Sequence, residues 1–216
     1  MLFYSRILPL ILLGIVALIS TYSWSKSARS LKIVTIISLL NFVFEMLGNY
    51  MGYLGINNIW LYNISDLIRF SLWFLFFYFS YSALKQKQAT LLFTVIFPIT
   101  WILLLNIQSI DIFQTFSFIF GSILLLILCF LYLFNEYKSS STESLFRNPS
   151  LWICLGLLFY YSLNLPFIGL YNWLNKFSSN FAMTYFYICV VGSSIFLSVS
   201  IIIAFLCNLK NRKFGS

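Results

Sequence analysis

Seven apolar runs take up almost the whole chain: Ile7–Trp24, Ile33–Gly55, Trp60–Ala83, Leu91–Leu105, Ile112–Tyr137, Leu151–Tyr171 and Phe181–Leu209. A helix needs about 20 residues to cross the roughly 30 Å hydrocarbon core of a bilayer. Six runs meet that length closely; the fourth is shortest and carries Pro98. Only 8% of the residues are charged, whereas a soluble domain carries about a quarter. Such a chain cannot cover a globular surface with polar groups, so its outer surface must face lipid. The expected fold is all-α, a seven-transmembrane-helix bundle forming one polytopic domain over residues 1–216. Its place is the cell membrane, the inner membrane in a Gram-negative bacterium. The runs and their connectors leave no stretch for a soluble catalytic or sensory domain.

Basic residues give the expected orientation. Alternate connectors and the tail hold Lys26, Arg29, Lys32, Lys85, Lys87, Lys138, Arg147, Lys210, Arg212 and Lys213, while the other side holds Arg6 and Lys176. Ten against two puts the N-terminus outside and the C-terminus in the cytoplasm. Cleavage after "ILPLILLGIVALIS" as a signal peptide would release Lys26, Arg29 and Lys32 on the wrong side. The first run is therefore read as an uncleaved span. Tyr50, Tyr53, Trp60, Tyr62, Tyr171 and Trp173 gather at the expected outer interface, and Trp24, Tyr78, Tyr81, Tyr137 and Trp152 near the inner one, as aromatic belts do. The net charge of +8 lies in short clusters between apolar runs, so nucleic acid is not an expected partner.

Three charges fall where hydrocarbon-soluble residues belong. Glu45 lies in the second run, and Asp66 and Arg69 in the third. Asn41, Glu45, Asn49 and Gly52 recur at helical steps and form one stripe; Tyr62, Asp66, Arg69 and Trp73 form another. With "GINN" as the turn, equal counting along two antiparallel helices sets Glu45 opposite Arg69 and Asn49 opposite Asp66. Asp66 and Arg69, three apart, also lie within reach along their own helix. Gly48 and Gly52 form a small-xxx-small pair that admits a neighbouring helix closely. An isolated ionised group near the bilayer centre costs from about 2.5 to over 10 kcal/mol, so these charges must be grouped. Two carboxylates and one guanidinium leave one negative charge over, to be met by a proton, water or a cation. The candidate ligand or ion cluster is Glu45, Asp66, Arg69, Asn49 and Asn41, and the competing reading is a polar latch that only orients the two helices. Asn164, Thr184 and Tyr185, in the outer parts of the sixth and seventh runs, are secondary cavity candidates. Ser194, Ser198, Ser200 and Ala204 mark packing faces.

Other chemistry has little to build on. The chain has no histidine, which removes histidine-based nucleophile pairs and histidine-ligated metals. Cys129, Cys154, Cys189 and Cys207 make no CxxC pair and read as small packing residues rather than a disulfide framework. No phosphate-cradling glycine loop occurs. No lysine lies deep in the last run to carry a retinal Schiff base. No cofactor, no metal and no enzymatic activity are expected. The polar connector "NEYKSSSTESLFRNPS" is a loop on the cytoplasmic side and a candidate docking or modification site.

"GINNIWLYNISDLIRF", following a glutamate-bearing helix, resembles a pattern in uncharacterised seven-helix membrane proteins of Bacteroidota. The likeness covers Glu45 to Phe70, and the family commonly carries an acidic residue where this chain has Arg69. The expected topology is also similar to that of receptors and of SWEET-type sugar carriers. The function expected first is a receptor- or sensor-like protein whose polar cluster faces an outward cavity and which signals through a membrane or cytosolic partner. The alternative is a channel, a transporter or a membrane-perturbing oligomeric effector, for example in phage defence, with the cluster as an ion or proton path. The expected partners are thus the lipid bilayer, a relay protein and further copies of the chain.

Overall fold

The computed structural model describes residues 2–139, 146–177 and 184–213. Within them the chain is helical, with no strand: α1 (Leu2–Tyr22), a 3-10 turn (Trp24–Lys26), α2 (Arg29–Tyr53), α3 (Ile59–Ser80), α4 (Leu84–Leu104), α5 (Thr115–Ser139), α6 (Pro149–Phe177), a π-helical segment (Tyr187–Gly192) and α7 (Ser193–Lys213). Five stretches are long and apolar enough to cross a membrane: Arg29–Tyr53, Leu84–Leu104, Thr115–Lys138, Pro149–Leu170 and Thr184–Lys210. Large apolar side chains stand exposed along them, among them Leu91, Leu92, Val95, Ile99 and Ile102 on α4. An apolar surface of this extent suits lipid, not water. The molecule has the build of a multi-pass membrane protein.

Two of the seven expected spans fall outside those five. The first is α1, 21 residues long, of which the stretch Leu8–Tyr22 is apolar among the described residues. The second is α3, which carries Asn63, Ser65, Asp66, Arg69 and Ser71 along its length. The fourth helix is longer than its apolar run, because the polar "LKQKQAT" is already helical and Pro98 sits inside it. Residues 140–145 of the polar connector, expected on the cytoplasmic side, and the start of the seventh run at Phe181 lie outside the described residues.

The chain packs as two compact units, Ser20–Leu128 and Met1–Ile19 with Cys129–Ser216. In the first, α3 is the packed centre. Phe70, Trp73, Phe74, Phe76 and Phe77 are fully buried. The Phe70 ring lies 5.0 Å from that of Phe97 on α4 and 5.7 Å from that of Phe118 on α5. Phe74 meets Phe97 and Phe93 at 5.8 and 6.3 Å. A Cβ at Gly121 would meet the Phe97 and Phe70 rings at 2.7 and 3.0 Å, so glycine lets α5 close onto this aromatic stack. Tyr81 ties the far end by donating to the Leu128 carbonyl at 2.7 Å. At the opposite end, Asn63 gathers the 105–114 connector. Its amide donates to the Ile110 and Ile112 carbonyls at 2.7 and 2.8 Å and accepts from the Gln114 N–H at 3.1 Å. A buried amide that satisfies three backbone groups fixes a loop that has no helix of its own.

In the second unit, α6 and α7 pack through small residues. A Cβ at Gly156 would come within 2.8 Å of the Ser200 Cβ, and Ser198, Ser200 and Ala204 are buried. The Phe159 and Phe196 rings stack at 4.4 Å. Asn148 caps α6, accepting from the Ser150 N–H at 3.0 Å, and donates to Tyr132 Oη and Glu136 Oε2 on α5, each at 3.0 Å. Cys154 donates to the Cys129 carbonyl at 3.4 Å, with both thiols free and buried.

Candidate functional site

The α2–α3 hairpin turns on a residue type only glycine supplies cheaply. α2 ends at Tyr53, and Gly55 adopts a φ of 71°, in the left-handed region that a Cβ disfavours. The chain then doubles back, and the Asn58 side chain donates to the Gly48 carbonyl at 2.8 Å. Asn57 Oδ1 accepts from the Ile59 N–H at 3.0 Å and starts α3. Because Asn58 reaches back to Gly48, α3 begins alongside the last two turns of α2, next to Gly48 and Gly52.

That reach sets the register. The Tyr62 ring lies directly over buried Gly48, where any Cβ would collide with its hydroxyl. Tyr62 Oη donates to Glu45 Oε2 at 3.4 Å. Arg69, two turns further on, shares a groove with Asn41, Ile37 and Phe44. These contacts shift the register by about one helical turn from equal counting, so that Arg69 makes no close ion pair with Glu45, although its charge is near enough to act on that carboxylate. Arg69 Nη2 pairs instead with Asp66 Oδ1 at 2.5 Å, along α3 itself. The side chains of Asp66 and Arg69 are 13% and 22% exposed, so the pair is mostly shielded. Asn49 is exposed, and its amide donates to the Glu45 carbonyl of its own helix at 2.8 Å. The spare carboxylate is Glu45, not Asp66.

This arrangement has a definite chemistry. A guanidinium with a carboxylate close by on its own helix is a compensated charge, with the geometry that favours such pairs. The carboxylate of Glu45 is half-buried and is met across the hairpin by the Tyr62 phenol, with the Arg69 charge acting on it as well. The groove lined by Asn41, Ser65 and Arg69 is too narrow to admit a water molecule. As it stands the hairpin is closed.

The secondary candidates separate. Asn164, Thr184 and Tyr185 belong to the other compact unit. Asn164 is 1% exposed and donates to the Tyr160 carbonyl at 2.7 Å, Ser193 Oγ at 2.9 Å and the Cys189 carbonyl at 3.4 Å. Its place is explained by the π-helical segment, whose i→i+5 pattern leaves carbonyls displaced from the ordinary ladder. Ser193 Oγ also donates to the Cys189 and Val190 carbonyls. Thr184 and Tyr185 stand exposed ahead of that segment.

Three participants escape a reading of charges and stripes. Tyr62 sits on the expected α3 stripe, yet only its contact with Gly48 and Glu45 shows its part. Ser65 lines the groove through a short side chain. Asn63 looks like one more polar residue in "LYNISD", and its role appears only with the 105–114 connector in place. Among the described residues, no three His, Cys, Asp or Glu side chains are grouped to hold a metal ion. No family model, no curated protein and no solved structure matches the chain.

Proposed function

We propose that the chain is a receptor- or sensor-like protein of a bacterial inner membrane, in which the α2–α3 hairpin is the responsive element. In this reading all seven helices are set in the bilayer, with the N-terminus outside and the C-terminus in the cytoplasm. Here α3 crosses within the bundle, screened from lipid by α2, α4 and α5. The carrying observation is a closed, charge-bearing hairpin. Arg69 pairs with Asp66 on its own helix, while Glu45 meets α3 through a long 3.4 Å hydrogen bond from Tyr62 and through the nearby charge of Arg69. A compensated pair beside a weakly held carboxylate makes a two-state contact. A proton or a cationic group taken up at Glu45 releases Tyr62 and lets the helices part, and a partner protein relays the change. The same reading assigns the chain no catalytic chemistry, and kinship with the seven-helix proteins of Bacteroidota fits it.

The groove too narrow for water favours this reading over a conducting path, which needs hydrated or exchangeable sites in series. The discriminating experiment is reconstitution in liposomes, followed with a pH-sensitive dye and a potential-sensitive dye. The sensor reading predicts proton and cation leak no greater than in empty liposomes across pH and voltage. Flux that disappears in Glu45→Gln would overturn it in favour of a channel or transporter.

A further inference from the structure

At the end of the Ser20–Leu128 unit remote from the 54–58 turn, α2 begins with the Trp24–Lys26 turn packed on it, and the antiparallel α3 ends and hands over to α4. These segments carry Lys26, Arg29, Lys32, Lys85 and Lys87. Among the described residues none of the five has a carboxylate within ion-pair distance. The acidic residues of this unit lie elsewhere: Glu45 and Asp66 inside the hairpin, and Asp111 in the opposite connector, where Asn57 reaches its carbonyl.

Helix stability does not account for these cations. Arg29, Lys32, Lys85 and Lys87 occupy the beginnings of α2 and α4, where the helix dipole favours anions. Neither helix has an acidic residue in its first turn, and the N-caps are Ala28 and Ala83, without side-chain capping bonds. The surroundings name the counter-charge. Apart from Leu84 at the start of α4, the exposed apolar side chains of these helices stand about seven or more residues inward, roughly 10 Å along each helix: Ile36 and Leu39 on α2, Leu91, Leu92 and Val95 on α4. Trp24 is exposed among the cations, with Lys32 Nζ 5.6 Å from its ring centre. Cations and an indole at one end, with alkyl side chains inward of them, match the layering of headgroup and acyl chain.

We infer that this basic end is a binding surface for anionic phospholipids, whose phosphates sit among Lys26, Arg29, Lys32, Lys85 and Lys87. Their acyl chains lie along the exposed faces of α2 and α4. The inference depends neither on the sensing reading nor on the orientation of the chain, since it concerns one end of the unit whichever way that end points.

The test is native mass spectrometry of the purified full chain, released from detergent with equimolar phosphatidylglycerol and phosphatidylcholine. Phosphatidylglycerol adducts are expected to dominate. In Lys26→Gln/Arg29→Gln and in Lys85→Gln/Lys87→Gln, the preference should fall about fivefold for each contacting side chain removed. The charge-keeping Lys26→Arg/Lys32→Arg/Lys85→Arg/Lys87→Arg variant should retain it, which separates charge from fold. Equal adducts of the two lipids on the wild type would overturn the inference. So would an unchanged preference in both folded glutamine variants, or displacement of the lipid by millimolar inorganic phosphate, which would mark a site for a soluble anion.

Discussion

Gly48 and Tyr62 set how closely α2 and α3 approach, and Asp66 and Arg69 set what that approach encloses. A methyl group at position 48 would run into the Tyr62 hydroxyl and ring. Gly48→Ala should therefore lower stability by about 1–3 kcal/mol, as overpacking of a tight contact does, read as a fall in the midpoint of thermal unfolding in detergent. The charge pair gives a sharper contrast. Arg69→Ala strands the shielded carboxylate of Asp66 and should cost about 3–5 kcal/mol, whereas Asp66→Asn/Arg69→Gln removes both charges and should recover most of that loss. A double variant as unstable as the single one would contradict the pairing. Glu45→Gln should shift the midpoint little, because its bond to Tyr62 is long at 3.4 Å. At this scale the sequence shows which residues matter, since three charges in apolar helices cannot be incidental. It does not show who partners whom. That choice depends on one side-chain bond, from Asn58 to the Gly48 carbonyl, which no count of residues contains.

Helix register is where counting along the chain runs out. Equal depths measured from the "GINN" turn place Glu45 by Arg69; in the folded hairpin its hydrogen-bond donor is Tyr62, two turns from Arg69 along α3. The stripes survive this shift because helical periodicity is local. Their alignment does not, because it depends on how the connector folds back. In a chain with its native cysteines replaced by serine or alanine, Glu45→Cys/Tyr62→Cys should be bridged by a short bifunctional thiol reagent, since their side chains meet at the tips. Glu45→Cys/Arg69→Cys should cross-link much less. The reverse ranking would restore the register expected from counting. The π-helical segment is a second case. Nothing in "YICVVG" announces a widened turn, yet Asn164 and Ser193 turn their polar groups to its carbonyls. Asn164→Leu should destabilise the chain by about 1–3 kcal/mol, the cost of leaving such groups without their donor, again seen in thermal unfolding.

For the molecule as a whole, the apolar runs forecast helices well, since length and hydropathy are properties of each segment alone. The exception is α3, whose polar residues are tolerated because its neighbours bury it rather than lipid surrounding it. The proposed orientation makes a direct prediction. Asn57→Cys and Asn106→Cys should react with a membrane-impermeant maleimide in intact cells, and Lys87→Cys and Arg147→Cys only after permeabilisation. The central claim, a closed polar hairpin within the bundle, is tested most directly at Ser65, which is buried and lines the groove beside Arg69. Ser65→Cys, in the cysteine-replaced chain set in membranes, should react with a water-soluble thiol reagent far more slowly than the exposed Asn57→Cys. Glu45→Leu should speed that reaction by removing the acceptor that holds Tyr62. Prompt modification of Ser65→Cys at rest, at a rate matching Asn57→Cys, would mean an open, hydrated groove and would contradict the account.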